Sequence, residues 1–323
     1  MQRSTPLSKA VLALLVGCVV MVDGCASRDA HQTMAHNFQA PQGFPKVLAV
    51  YMPWFGDHSH MDVGYSSQDP EVLQRQVDEA RGMGISAFVV DWYGDRSPFL
   101  DRSFALLQQV ACQKHFQVAL MYDQPGDESV DATEDAIAAL DKAYRAYIGP
   151  GAPCRNAYFT YQGRPMVFIF PKHGRINWHR VREHVDAWSA PPWLIYKDAL
   201  PAEFGADLDG LYPWVHPGRK GWAPDGSDWG KQYLEDFYKE MTTRYQGKIA
   251  VGAAWPGFDD TRARWGLNRH MDARCGKTFE ETLQLPHQYY NDSNPLPLLL
   301  IETWNDYEEG TAIERRVPGN CAG

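Results

Sequence analysis

The sequence predicts a single (β/α)8 barrel, and three observations lead there. Eight short apolar runs recur between residues 46 and 316, with amphipathic stretches between most of them. Several runs, such as Leu298-Leu299-Leu300-Ile301, are apolar without alternation, which suits parallel strands covered on both faces. The runs also end in Trp, Tyr, Asp and Glu, and the carboxyl ends of parallel strands are where α/β proteins place their chemistry. No glycine-rich phosphate loop follows the first run, which argues against a nucleotide-binding doubly wound sheet.

Strands are expected at Val47–Trp54, Ile85–Trp92, Gln117–Tyr122, Met166–Phe170, Trp193–Tyr196, Leu211–Val215, Ile249–Ala254 and Leu298–Trp304. Helical periodicity or capping signals mark Pro70–Met83, Phe99–His115, Ala132–Tyr147, Trp178–Trp188, Trp229–Tyr245 and Glu280–Tyr290. Asp69 before Pro70 reads as an N-cap, since its carboxylate can accept from the first free amides. Helical signal is weak between the fifth and sixth strands. Few residues follow Glu314, so the eighth helix is expected to be short or missing, with residues 317–323 as a tail.

Residues 1–24 read as an export signal: Arg3 and Lys9 precede the apolar run Ala10–Val22, which is short for a membrane span. Leu15-Val16-Gly17-Cys18 matches a lipidation signal more closely, but Cys25 lies where such a cysteine belongs, at the end of the run, and is the favoured lipidation site. A plain secretory signal is the alternative. Residues 25–45 then form a polar tether, and the protein is expected in the bacterial cell envelope, on the periplasmic side or at the outer membrane, or else secreted. The exported body holds Cys112, Cys154, Cys275 and Cys321. Pairings Cys112–Cys154 and Cys275–Cys321 are expected, with buried free thiols as the alternative. Their spacing does not form a zinc motif, and no metal or cofactor is implied. A net charge of −9 disfavours nucleic acid as a partner.

The strand ends share one chemistry. In chain order they carry Tyr51 and Trp54; Asp91, Trp92 and Tyr93; Tyr122 and Asp123; Tyr196; Trp214; Trp255; and finally Asn305 and Tyr307. Aromatic faces stack on the C–H surfaces of sugars while carboxylates and amides take hydrogen bonds from hydroxyls, so this set suits an oligo- or polysaccharide. Asp306 and Glu309 lie in the last segment, where Gly310 permits the backbone to curl and bring both carboxyls to one bond. Two acids in one pocket do not ionise together easily, which divides them into an acid and a base as glycoside cleavage requires. A solvated acidic turn is the alternative reading of the same residues. Glu302 either faces the lumen or is paired structurally; His58 and His60 could bind substrate or metal but, without a third ligand at suitable spacing, read as surface residues; Arg262 and Arg264 either contact substrate or pair with Asp259 or Asp260.

Together these strand ends resemble glycoside hydrolase families 99 and 71, respectively retaining endo-α-mannosidases or mannanases and α-1,3-glucanases. Similar to family 99 are Tyr51-Met52-Pro53-Trp54-Phe55-Gly56, Tyr65-Ser66-Ser67-Gln68-Asp69, Trp255-Pro256-Gly257 and Glu309-Gly310-Thr311-Ala312-Ile313-Glu314, the last close to the family's Glu-Gly-Thr-Gln-Ile-Glu. Where family 99 has Asn-Glu-Trp-His-Glu this chain has Asn305-Asp306-Tyr307-Glu308-Glu309, and the run from Thr303 to Tyr307 with Glu309 looks more like family 71. The resemblance implies that Glu309 protonates the leaving group and Asp306 is the base. In family 99 the base takes the 2-hydroxyl proton, giving a 1,2-anhydro intermediate and retention. In family 71 the pair is associated with water attack and inversion, which the shorter Asp side chain favours. The implied activity is endo-acting cleavage of α-linked glucan or mannan. Two other classes fit the same strand ends: a carbohydrate-binding lipoprotein without turnover, and a barrel enzyme of another class in polysaccharide export or modification.

Overall fold

Eight parallel strands close on themselves. They are β1 (Val47–Tyr51), β2 (Ala87–Trp92), β3 (Gln117–Asp123), β4 (Arg164–Phe170), β5 (Trp193–Lys197), β6 (Gly210–Tyr212), β7 (Ile249–Ala254) and β8 (Leu298–Ile301). Each pairs in parallel with the next, and β8 returns to β1 in the register Val47 to Leu299, so the sheet has no free edge. The structure, a computed structural model, describes residues 46–314. The expected signal, tether and Cys25 lipidation therefore lie outside the described residues, as does Cys321.

Among the described residues six α-helices pack outside: α1 (Pro70–Gly82), α2 (Pro98–Lys114), α3 (Thr133–Ala143), α4 (Trp178–Asp186), α5 (Lys231–Thr243) and α6 (Lys277–Gln284). Asp69 caps α1 as expected, accepting the Glu71 amide at 2.9 Å, and Ser97 with Pro98 opens α2 in the same way. No helix separates β5 from β6, and none follows β8 among the described residues. None of the described helices is long and apolar enough to cross a membrane.

The period of two in each strand divides the apolar residues into two layers. Leu48, Val89, Met121, Phe168, Ile195, Val251 and Leu300 fill the lumen. Their neighbours Ala49, Val90, Leu120, Val167, Leu194 and Leu299 pack with Leu73, Leu107 and Leu234 of the helices.

The sixth strand ends at Tyr212 rather than Val215 and the last helix at Gln284 rather than Tyr290, and three further boundaries shift for a visible reason. The first strand stops at Tyr51 rather than Trp54, because the Met52 backbone bonds to the Asn305 side chain instead of a ladder. The last stops at Ile301, where the chain turns and Thr303 donates to the Thr311 carbonyl of its own returning arm at 3.0 Å. The third helix loses its α geometry after Ala143 and widens into one π turn, Tyr144–Ile148. The expected Cys112–Cys154 disulfide is also corrected. Both are free thiols, adjacent enough to share a hydrogen bond that, ahead of burial, pushes the Cys154 thiol up to about 11. Cys275 is a free, exposed thiol.

Candidate functional site

The segment after β8 folds back on itself at the carboxyl end of the barrel. Asn305, fully buried, accepts the Met52 amide at 2.7 Å and donates to the Met52 carbonyl at 2.9 Å, clamping the segment to the end of β1. Asp306 donates its amide to the Thr303 hydroxyl at 2.7 Å, and its Oδ1 accepts the amides of Glu308 at 3.0 Å and Glu309 at 2.9 Å. Gly310 takes the left-handed conformation at φ 67° that closes the turn. The Glu309 carbonyl accepts the Asp259 amide at 2.8 Å, which ties this turn to the loop after β7.

The turn holds Asp306 and Glu309 together as expected. Burial first, then the charge of Glu309, holds the Asp306 carboxyl well above its ordinary range, although the two turn amides oppose this. Burial likewise raises Glu309. The indole N–H of Trp265, 2.7 Å from its Oε1, and then the Arg269 guanidinium pull it back. One of the two oxygens of Asp306 is thus occupied by the turn, and Oδ2 takes no part in it.

Beneath this pair the inward positions of the strands turn mostly from hydrocarbon to charge. Asp91, Asp123, Phe170, Lys197 and Glu302 follow the inward residues Val89, Met121, Phe168, Ile195 and Leu300 by two positions each. Lys172 pairs with Asp123 at 2.8 Å, and Arg96 donates to the Asp123 carbonyl. The Lys197 ammonium lies 3.8 Å from the centre of the Phe170 ring and 3.9 Å from Asp198. Glu302 has no exposed surface, and neither of its oxygens has a hydrogen bond of full geometry, although the Val215 amide lies near enough to act on it. Burial raises the carboxyls of Glu302, Asp91 and Asp123 and lowers the Lys197 ammonium.

An aromatic rim stands above. His60 stacks on Trp54 with ring centres 4.5 Å apart and pairs with Glu308 at 2.8 Å; Trp265 meets both rings edge-on at 5.8 and 5.9 Å. Trp214 meets Phe170 edge-on at 5.0 Å on the opposite side. Tyr93 adjoins Asp91, whose carboxylate it approaches by hydrogen bond.

Several expected contacts face elsewhere. Tyr51, Trp92, Tyr122, Tyr196 and Trp255 lie in the layer between sheet and helices, not at the mouth. Tyr51 donates to Gln76 at 2.8 Å, Trp92 to Asp101 at 3.0 Å, and Trp255 to the Trp229 carbonyl at 3.1 Å. The cause is strand alternation: wherever Asp91 or Asp123 faces inward, the adjacent Trp92 or Tyr122 faces out. Asn305 is a backbone clamp, and Tyr307 donates to Glu314 at 2.8 Å within a buried polar cluster. Asp260 pairs with Arg269 at 2.6 Å rather than with Arg262 or Arg264. His60, read as a surface residue, is instead stacked on Trp54 and paired with Glu308, while Glu308, Lys197 and Trp265 were missed. Charge at an inward strand position marks Lys197, but nothing local distinguishes the three loop residues. Among the described residues, no group of three or more His, Cys, Asp or Glu is arranged to hold a metal ion.

No protein-family model matches the chain. In sequence it is 22% identical to a glycoprotein endo-α-1,2-mannosidase-like protein of Mus musculus, over 91% of this chain and 68% of that protein. The protein of the same name from Homo sapiens is also 22% identical, over 91% of this chain and 67% of its own length. In structure the chain resembles the family 99 endo-α-mannosidase of Bacteroides thetaiotaomicron in complex with bis-tris propane. That match has a TM-score of 0.63 at 18% identity, over 85% of this chain and 88% of the other, and the two share the barrel fold. None of these matches bears on the resemblance to family 71.

Proposed function

We propose that this chain is a glycoside hydrolase of the family 99 type, acting on an α-linked polysaccharide with α-mannan ahead of α-glucan. The observation that carries the reading is the Asp306–Glu309 pair, a buried and a partly buried carboxyl, both with raised affinity for protons, held by one turn at the barrel mouth. In this reading Glu309 gives a proton to the leaving oxygen as the glycosidic C–O bond breaks. The free oxygen of Asp306 accepts a proton from the sugar's 2-hydroxyl or from the attacking water. Asp91, Asp123 and Lys197 line the inner part of the same mouth and are placed to receive sugar hydroxyls, with Trp54 and Trp214 as apolar walls. The mannosidase names of the sequence relatives and of the structural neighbour support the choice of substrate. Lipid anchoring through Cys25 belongs to the same proposal and places the enzyme at the cell envelope.

The test is sugar release from a panel of α-mannans and α-glucans by the mature protein, beside folded Asp306→Asn and Glu309→Gln variants. Product from the wild type alone, with its first-formed anomer read by NMR, supports the hydrolase and decides between retention and inversion. A second reading, glycan binding without turnover, draws on the use of Asp306 Oδ1 by the turn amides. Saturable binding with no product, unchanged in both variants, would establish it instead.

A further inference from the structure

Trp265 is the strongest feature that the catalytic pair leaves unexplained. It lies on the loop between β7 and β8, and 41% of its surface is exposed while the rings beside it, Trp54 and His60, are largely covered. Its indole N–H donates to Glu309 Oε1 at 2.7 Å. Its position is built rather than incidental. Asp260, fully buried, accepts the amides of Leu267 at 3.1 Å and Arg269 at 2.7 Å and the Arg269 side chain at 2.6 Å, so one carboxylate fastens the loop around Trp265. The loop is also too tight for any side chain at the next residue. A Cβ on Gly266 would lie 1.8 Å from the Asp260 carbonyl oxygen.

Resting on the hydrolase reading above, we infer that Trp265 forms the platform for the sugar on the leaving-group side of the scissile bond, and that its N–H orients Glu309 toward that sugar's oxygen. Glu309 serves as the acid, so the sugar beside it is the one that departs. The deeper sugar faces the inward charges Asp91, Asp123 and Lys197. An exposed indole adjoining the acid at the rim offers the departing sugar an apolar face, and the same residue fixes the proton donor. The ring and the N–H thus have separable effects. The ring contributes binding of the leaving sugar. The N–H stabilises the Glu309 carboxylate, so its loss leaves the acid protonated to higher pH.

Two probes separate this from a structural role: an α-linked mannotetraose, which has a leaving sugar, and α-mannobiosyl fluoride, which has none. In the first, the anomeric C–O bond breaks, Glu309 supplies the proton to the leaving oxygen, and water ends on the anomeric carbon. In the second, the C–F bond breaks and fluoride departs without a proton from the acid. For Trp265→Ala the ratio of kcat/KM on the tetraose to that on the fluoride falls about tenfold, mainly through KM, the size expected for one lost stacking contact. Trp265→Phe keeps KM on the tetraose, while the alkaline limb of its pH profile moves upward. Equal losses on both probes in Trp265→Ala, or an unchanged ratio, overturn the inference while leaving the hydrolase reading intact. An unmoved alkaline limb in Trp265→Phe overturns the orienting role. Failure of the folded wild type to turn over either probe or the matching α-glucan pair overturns the hydrolase reading and this inference with it.

Discussion

Replacing Glu302 by Gln should stabilise the protein at neutral pH and do little at acid pH. Glu302 is fully buried at the top of the lumen, and neither oxygen has a hydrogen bond of full geometry, the Val215 amide approaching without forming one. Burial is the largest influence on it, Asp198 adds repulsion, and the Val215 amide and Lys197 offset only part, so its folded pKa lies well above its ordinary value. The sign follows from linkage. Below the unfolded value of about 4.3 the carboxyl is neutral in both states, and Gln matches it in shape and charge. As pH rises towards the folded pKa, the unfolded chain releases the proton and the folded chain holds it, so the wild type loses stability. Gln has no proton to lose. Leaving a buried polar group unsatisfied costs about 1–3 kcal/mol, with more for a charge, so the variant's advantage should reach that size by pH 8. For a chain of this length that is a rise in Tm of roughly 2–10 °C. Thermal unfolding of both proteins at pH 4, 6 and 8 reads it directly. A Tm difference that is constant across the three, or a variant less stable than the wild type at pH 8, would refute the reasoning.

Asn305→Ala removes both bonds to Met52 and strands a buried amide and carbonyl; a loss of about 2–4 kcal/mol in urea unfolding is expected, with weakened activity because the turn holding Asp306 loosens. Oxidising the native protein with diamide should join Cys112 to Cys154 with loss of two titratable thiols, and closing a loop of roughly 40 residues should add up to about 4 kcal/mol; an unchanged thiol count, or an identical response in Cys154→Ser, argues against it. Hydrolysis should fade as pH rises through the elevated pKa of Glu309, since the acid must carry its proton; the kcat/KM profile tests this, and an activity that rises steadily to pH 9 contradicts Glu309 as the acid.

The barrel was legible because each strand is one apolar run and its signal is local. Ile249–Ala254 was located to the residue, and Asp69 before Pro70 marked the start of α1. The paired carboxyls were legible for the same reason, since Asp306 and Glu309 belong to one turn. What local pattern left undetermined was the direction of side chains at strand ends. Trp92 and Tyr122 fit a sugar cleft by composition, but each follows or precedes an inward acid and so faces the helices. Contacts between distant loops were further out of reach. His60 meets Glu308 across 248 residues of sequence through closure of β8 on β1, and Trp265 meets Glu309 across 44 through the pairing of β7 with β8.

The inward acids also bear on how Glu309 can hold a proton at all. Were Asp91, Asp123 and Glu302 all ionised beneath it, the mouth would repel the negative charge left on Glu309 after proton transfer. It would also draw cations in preference to neutral sugar. Burial raises each of these carboxyls, and Lys172 and Lys197 lie among them. The lumen therefore carries least negative charge in the pH range where Glu309 is protonated. Raising the pH ionises the supporting layer and the acid in the same direction, so stability and turnover should decline together. A Glu302→Gln enzyme separates the two: its stability should persist to higher pH, whereas its alkaline activity limb should still follow Glu309.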